Sequence, residues 1–154
     1  MTLTLTSPDF HHAETIPREH TCDGADRSPA FGWSGVPEGT QSLLLVCDDP
    51  DAPRGTFHHW AAYNIPPDWE GLEPGYGAGS RPQSFQEAVN DFGKPGYGGP
   101  CPPRGDRPHR YRFRLSALNA RIDADAGATC AEIARLARPV EIAAAELLGH
   151  YGRS

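Results

Sequence analysis

The chain has 154 residues, enough for one core, and it reads as a single domain over residues 1–154. A net charge of -6, with Lys94 the sole lysine among 14 basic residues, excludes the broad basic surface that nucleic acid needs. No apolar run approaches the ~18 residues that cross a bilayer, and Met1 to Pro8 does not read as a secretory signal, so no membrane span is expected and the cytoplasm is the expected location.

In chain order, Leu3 and Leu5 alternate with threonines and predict a first strand. His11, His12 and His20 lie in a polar stretch that reads as surface. A polar turn spans Asp23 to Pro29, Phe31 and Trp33 follow, and Val36-Pro-Glu-Gly39 is another turn. Ser42 to Cys47 is an apolar run of strand length, stopped by the two prolines of Asp48-Asp-Pro-Asp-Ala-Pro53. His58 to Ile65 predicts a further strand. Residues 66–108 are loop-rich, and Tyr76, Phe85, Phe92 and Tyr97 argue for ordered loops rather than disorder. In His109 to Leu118, arginines alternate with Tyr111, Phe113 and Leu115, which predicts a strand with one wet and one buried face. Thr129 and Glu132 form a capping box before one helix, and Pro139 and Gly149 bracket a predicted second one. With 17 glycines and 16 prolines, strands first and short helices last, the fold class is mainly β, a sandwich with peripheral C-terminal helices.

Strand parity draws the chemistry together. His109 shares parity with Tyr111, Phe113 and Leu115 and should begin a buried face. His59 shares parity with Ala61, Tyr63 and Ile65, which favours His59 inward and leaves His58 as the alternative. A buried imidazole needs a partner, and Asp49 and Asp51 stand at the mouth of the apolar run. Two histidines, a carboxylate and the Tyr111 hydroxyl, with Trp60 and Phe57 near by, form a small-anion site on this reading. Because a carboxylate repels an anion, such a site needs a shared proton or a protonated histidine. The competing reading makes each piece structural: a turn at residues 49–53 and core histidines.

Asp49-Pro-Asp-Ala-Pro53 followed by His59-Trp60 resembles the first signature of the phosphatidylethanolamine-binding proteins. Gly99-Pro-Cys-Pro-Pro-Arg-Gly105 followed by His109-Arg-Tyr111 resembles the second. Asn90 to Lys94, Gly96 to Gly99, Cys22-Asp-Gly24, Ser28-Pro29, Trp33 and Val36-Pro37 are similar to the bacterial YbhB/YbcL, or Raf kinase inhibitor-like, branch. The resemblance covers nearly the whole chain. It implies a two-sheet β-sandwich with a C-terminal helical piece. It implies an anion pocket lined by Asp49, Asp51, His59, His109 and Tyr111, with backbone N–H groups from Gly99 to Cys101 and walls from Pro53 and Trp60. The implied ligands are phosphate, acetate or a phospholipid head group such as phosphoethanolamine. Ala52–Pro53 is a candidate for a cis bond. Ser116 and Arg138-Pro139 depart from the family pattern and bear on C-terminal packing or a dimer contact.

The resemblance also implies a homodimer and a kinase or protease as partner, and no cofactor. The competing function is a hydrolase, metal-dependent or acid/base, using the Asp/His pocket. Against it, no HExxH or HxH spacing occurs, so no metal is expected, and Gly32-Trp-Ser34-Gly35 falls one residue short of a nucleophile elbow. The four cysteines show no CxxC pair and read as reduced thiols. Cys22 and Cys101 both fall in loops used by the bacterial branch, which leaves a disulfide between them as the alternative.

Overall fold

A computed structural model describes residues 2–77, 82 and 84–154. Among the described residues, nine strands form two sheets: β1 (Thr4–Thr6), β2 (Glu14–Thr15), β3 (Phe31–Ser34), β4 (Ser42–Asp49), β5 (Phe57–Ile65), β6 (Gly71–Leu72), β7 (Gln86–Glu87), β8 (His109–Leu118) and β9 (Glu141–Tyr151). The small sheet has the order β1-β3-β6, and the large one β2-β9-β8-β4-β5-β7. One α-helix, α1 (Cys130–Ala137), starts at the expected cap, where the Thr129 side chain accepts the Glu132 N–H. None of the described helices is long and apolar enough to cross a membrane.

The core lies between the sheets. Phe31 and Trp33 of the small sheet meet Cys47, Trp60, Phe113 and Leu115 of the large one, with the Phe31 and Phe113 ring centres 5.2 Å apart. A second cluster fills the opposite face, where Ile133 and Ala137 of α1 cover Leu44, Ala61, Tyr63 and Leu118. The large sheet is therefore buried on both sides along most of β5, whereas β8 keeps a wet face that carries its arginines.

The second predicted helix is a strand. Pro139 does open a helical turn, but it is a single 3₁₀ turn over Arg138–Val140, after which β9 runs 11 residues antiparallel to β8. The Ile142-Ala-Ala-Ala-Glu-Leu-Leu148 stretch has high helix propensity, and long-range pairing overrides it. Gly149, expected to end a helix, serves close packing: a Cβ there would sit 2.5 Å from Ile16 Cγ1. Three smaller expectations also change. His20 is buried, its Nδ1 2.8 Å from the Arg27 carbonyl, whereas His11 and His12 are exposed. No peptide bond among the described residues is cis, so Ala52–Pro53 is trans. Cys22 and Cys101 are bonded across 79 residues, and only Cys47 and Cys130 remain as buried thiols.

Candidate functional site

Antiparallel pairing brings the end of β4, the start of β5 and the start of β8 together at one end of the large sheet's strands, with Asp48 opposite both His58 and Arg112. Asp49 closes β4, and His109 opens β8 with Tyr111 two residues on. His59 arrives by a different route from the one parity suggests. Ala61 and Tyr63 pack under α1, on the face away from the small sheet. Between the Cys47–Trp60 and Asp48–His58 pairs, β5 carries one extra residue, His59. That bulge lets His59 reach the same side as Trp60, and its ring lies 5.3 Å from Tyr111. A second extra residue, near Asn64 at φ 57°, returns Ile65 to the inter-sheet core.

A cavity of about 210 Å³ opens here, walled by Asp49, Ala52, Pro53, Phe57, His59, Phe92, Cys101, Pro102, Pro103, His109 and Tyr111. Its polar groups are few. Asp49 is buried; Oδ1 accepts the Asp51 N–H at 2.8 Å, and Oδ2 lies 2.7 Å from His109 Nδ1. Burial depresses the His109 pKa, but the Asp49 and Asp106 carboxylates outweigh it and hold the ring above its usual value. His59 is buried as well, and its Nδ1 lies 2.6 Å from the Gly98 carbonyl. A carbonyl only accepts, so Nδ1 carries the proton. Burial pushes the His59 pKa below its usual value, against the opposing pull of the Gly98 carbonyl and Asp49. The neutral ring of His59, which lines the cavity, therefore carries its lone pair at Nε2. Tyr111 lies between the two imidazoles, nearly parallel to His109 and edge-on to His59. Its hydroxyl is buried and has no protein partner among the described residues. Burial and the nearby Asp49 charge raise its pKa far above the usual phenol, so it stays protonated and is a donor.

Asp51, Trp60 and Gly99, also expected at the site, stand outside this cavity. The Asp51 carboxylate is taken by Arg110, which donates to it from the backbone N–H and from the guanidinium, and this pairing holds its pKa down at about 2. Trp60 is fully buried behind the site and donates from Nε1 to Glu87. Gly99 lines an adjoining cavity of about 170 Å³, which shares Phe92 and Cys101 with the first. Its N–H donates to Asp26, and a Cβ at this position would come within 2.2 Å of the His20 carbonyl. Pro53 and Cys101 do line the main cavity. Phe92, Pro102, Pro103 and Asp106 were not singled out for the site from the sequence. Asp106 Oδ2 lies 3.1 Å from His109 Nε2, and its position three residues before His109 was the available cue. No group of three or more His, Cys, Asp or Glu residues that could hold a metal occurs among the described residues. Ser34, of the near-elbow, lies on β3 and bonds Thr4 away from the cavity.

Comparison with known proteins agrees with this architecture. The UPF0098 protein of Aquifex aeolicus is 43% identical over 148 residues, covering 96% of this chain and 86% of the relative. The crystal structure of Escherichia coli YbcL, described as a member of the mammalian PEBP family, superposes with a TM-score of 0.92 at 33% identity over 100% of both chains. That of CT736 from Chlamydia trachomatis, described as a putative phosphatidylethanolamine-binding protein homolog, gives 0.88 at 33% identity over 99% of each. The family model for phosphatidylethanolamine-binding protein matches residues 6–152, and the chain belongs to that family.

Proposed function

We propose that this chain is a binding protein for a small anion that carries one negative charge and a P–OH, of the kind presented by phosphate or by a phosphate monoester such as phosphoethanolamine. The observation that carries this reading is the Tyr111 hydroxyl, buried and without a protein partner beside a cavity with apolar walls. An unpaired buried hydroxyl costs about 1–3 kcal/mol, and an anionic oxygen in the cavity would recover that loss. His59 Nε2 adds a second requirement, because it can only accept. The fitting guest offers an oxygen to Tyr111 and a P–OH to His59. The Asp49 charge, shared with His109, disfavours a second full negative charge on the guest.

Calorimetric titration with inorganic phosphate and with phosphoethanolamine tests this. The second ionisation of a phosphate monoester lies near pH 6, so affinity should rise as the pH is lowered from about 7.5 to 5.5. No binding of either compound at any pH, or tighter binding of the dianion, would overturn the reading.

Two further parts of the proposal concern context. The Cys22–Cys101 bond favours an oxidising compartment over the cytoplasm expected from the N-terminal sequence and the apolar run lengths. A homodimer is supported by the outer edge of β9: among the described residues β2 covers only Gly149 and His150, and Ala13 reaches Leu148. A second β9 could extend the sheet across a twofold beside the exposed Ile142. Sedimentation of the purified chain would give a dimer on this proposal, and a monomer at all concentrations would refute it.

A further inference from the structure

Both ring nitrogens of His109 are engaged, by two carboxylates of very different standing. Nδ1 is held by Asp49, which is buried and fixed through both of its oxygens. Nε2 is held by Asp106, whose side chain is 43% exposed. Asp106 does not wall the cavity; it reaches the ring from the turn at residues 103–106. There the Asp106 N–H donates to the Pro103 carbonyl, and Gly105, at φ 86°, donates to the Arg153 carbonyl. With Asp106 in place, His109 has no free N–H to offer a guest.

We infer that Asp106 is a built-in competitor for the anion, occupying the His109 Nε2–H until a ligand displaces it, and so setting the affinity of the pocket. The inference rests on the anion-binding reading above. The two carboxylates differ in how easily they leave. Moving Asp49 would strand a buried charge and break the Asp51 contact. Moving Asp106 returns a half-exposed carboxylate to water, and ion pairs at such exposure hold weakly. A guest oxygen that takes over Nε2 replaces one charge-assisted hydrogen bond with another. The competitor therefore lowers affinity without removing the site, and favours guests that satisfy Tyr111 and His59 as well over those that satisfy His109 alone.

Asp106→Ala removes the competing oxygens. Asp91→Asn is the charge control: it is exposed, lies beside the Phe92 wall, and changes the net charge equally without touching His109. Each is titrated calorimetrically with inorganic phosphate at about 0.15 M and about 1 M salt, where charges are screened beyond roughly 8 Å and 3 Å respectively. Melting curves establish that both variants are folded. Asp106→Ala should bind phosphate about 3- to 10-fold more tightly than the parent at both salt concentrations. Asp91→Asn should gain less than about 2-fold, and lose that gain at high salt. Equal or weaker binding by Asp106→Ala, or a gain that vanishes with salt as in the control, overturns the competitor. Absence of phosphate binding by the parent and both variants would instead overturn the anion pocket itself, and the competitor with it.

Discussion

Replacing Tyr111 with Phe removes one oxygen atom and should move stability and binding in opposite directions. The ring packs between two imidazoles and is fully buried, and Phe keeps that packing. The hydroxyl has no protein partner among the described residues, so its removal relieves a desolvation cost of about 1–3 kcal/mol in the ligand-free protein. For a chain of this length, 1 kcal/mol shifts the melting temperature by about 2–4 °C, so the variant should melt roughly 2–12 °C higher. Binding should suffer, because a hydrogen bond to a charged oxygen is lost. A loss of about 1.4 kcal/mol corresponds to a tenfold weaker dissociation constant. Calorimetric melting without ligand and titration with phosphate measure the two effects separately. A variant that melts lower than the parent would show the hydroxyl to be satisfied within the protein. An unchanged phosphate affinity would remove Tyr111 from the site.

Stability should depend on pH through the two imidazoles in opposite senses. Burial holds His59 below the usual 6.5, so the unfolded chain takes up a proton first and stability falls as the pH drops below about 6.5. His109 lies above 6.5, so its proton stabilises below that pH, and the contribution is lost as the pH rises through its folded value. Melting temperature against pH should therefore peak near 6.5, with an acid limb that flattens in His59→Gln; an unaltered acid limb would contradict the buried neutral ring. The disulfide closes a loop of 79 residues, for which chain entropy gives about 4.5 kcal/mol as an upper figure and experience about 2–4 kcal/mol. Cys22→Ser with Cys101→Ser should lower the melting temperature by roughly 5–15 °C, and alkylation of the denatured parent without reductant should label two thiols. Four labelled thiols would show the bond absent.

Much of this was legible in the sequence because burial in a β-sandwich writes a period of two. The strand from His109 to Leu118 was read with its bounds and its inward face, since its arginines all point one way. His59 was read as inward, although its parity partners Ala61 and Tyr63 face α1. A bulge adds a residue and shifts the phase, and alternation alone cannot register it. The strand over residues 141–151 was hidden by its alanines, leucines and glutamate, which favour a helix locally. What decides it is ten pairings with β8, a contact the local pattern does not contain. The Cys22–Cys101 bond was equally nonlocal: the cysteines are 79 positions apart and meet where two loops cross. Asp106 gave no periodic signal because it lies in an irregular turn, and its spacing of three residues from His109 was the one cue to their contact.

A crystal structure of the protein grown with inorganic phosphate is the most direct measurement. An anion oxygen about 2.6–3.0 Å from the Tyr111 hydroxyl, with a second within the same reach of His59 Nε2, is the expected result. A phosphate bound elsewhere on the surface, with both of these atoms facing solvent alone, would contradict the assignment of this cavity.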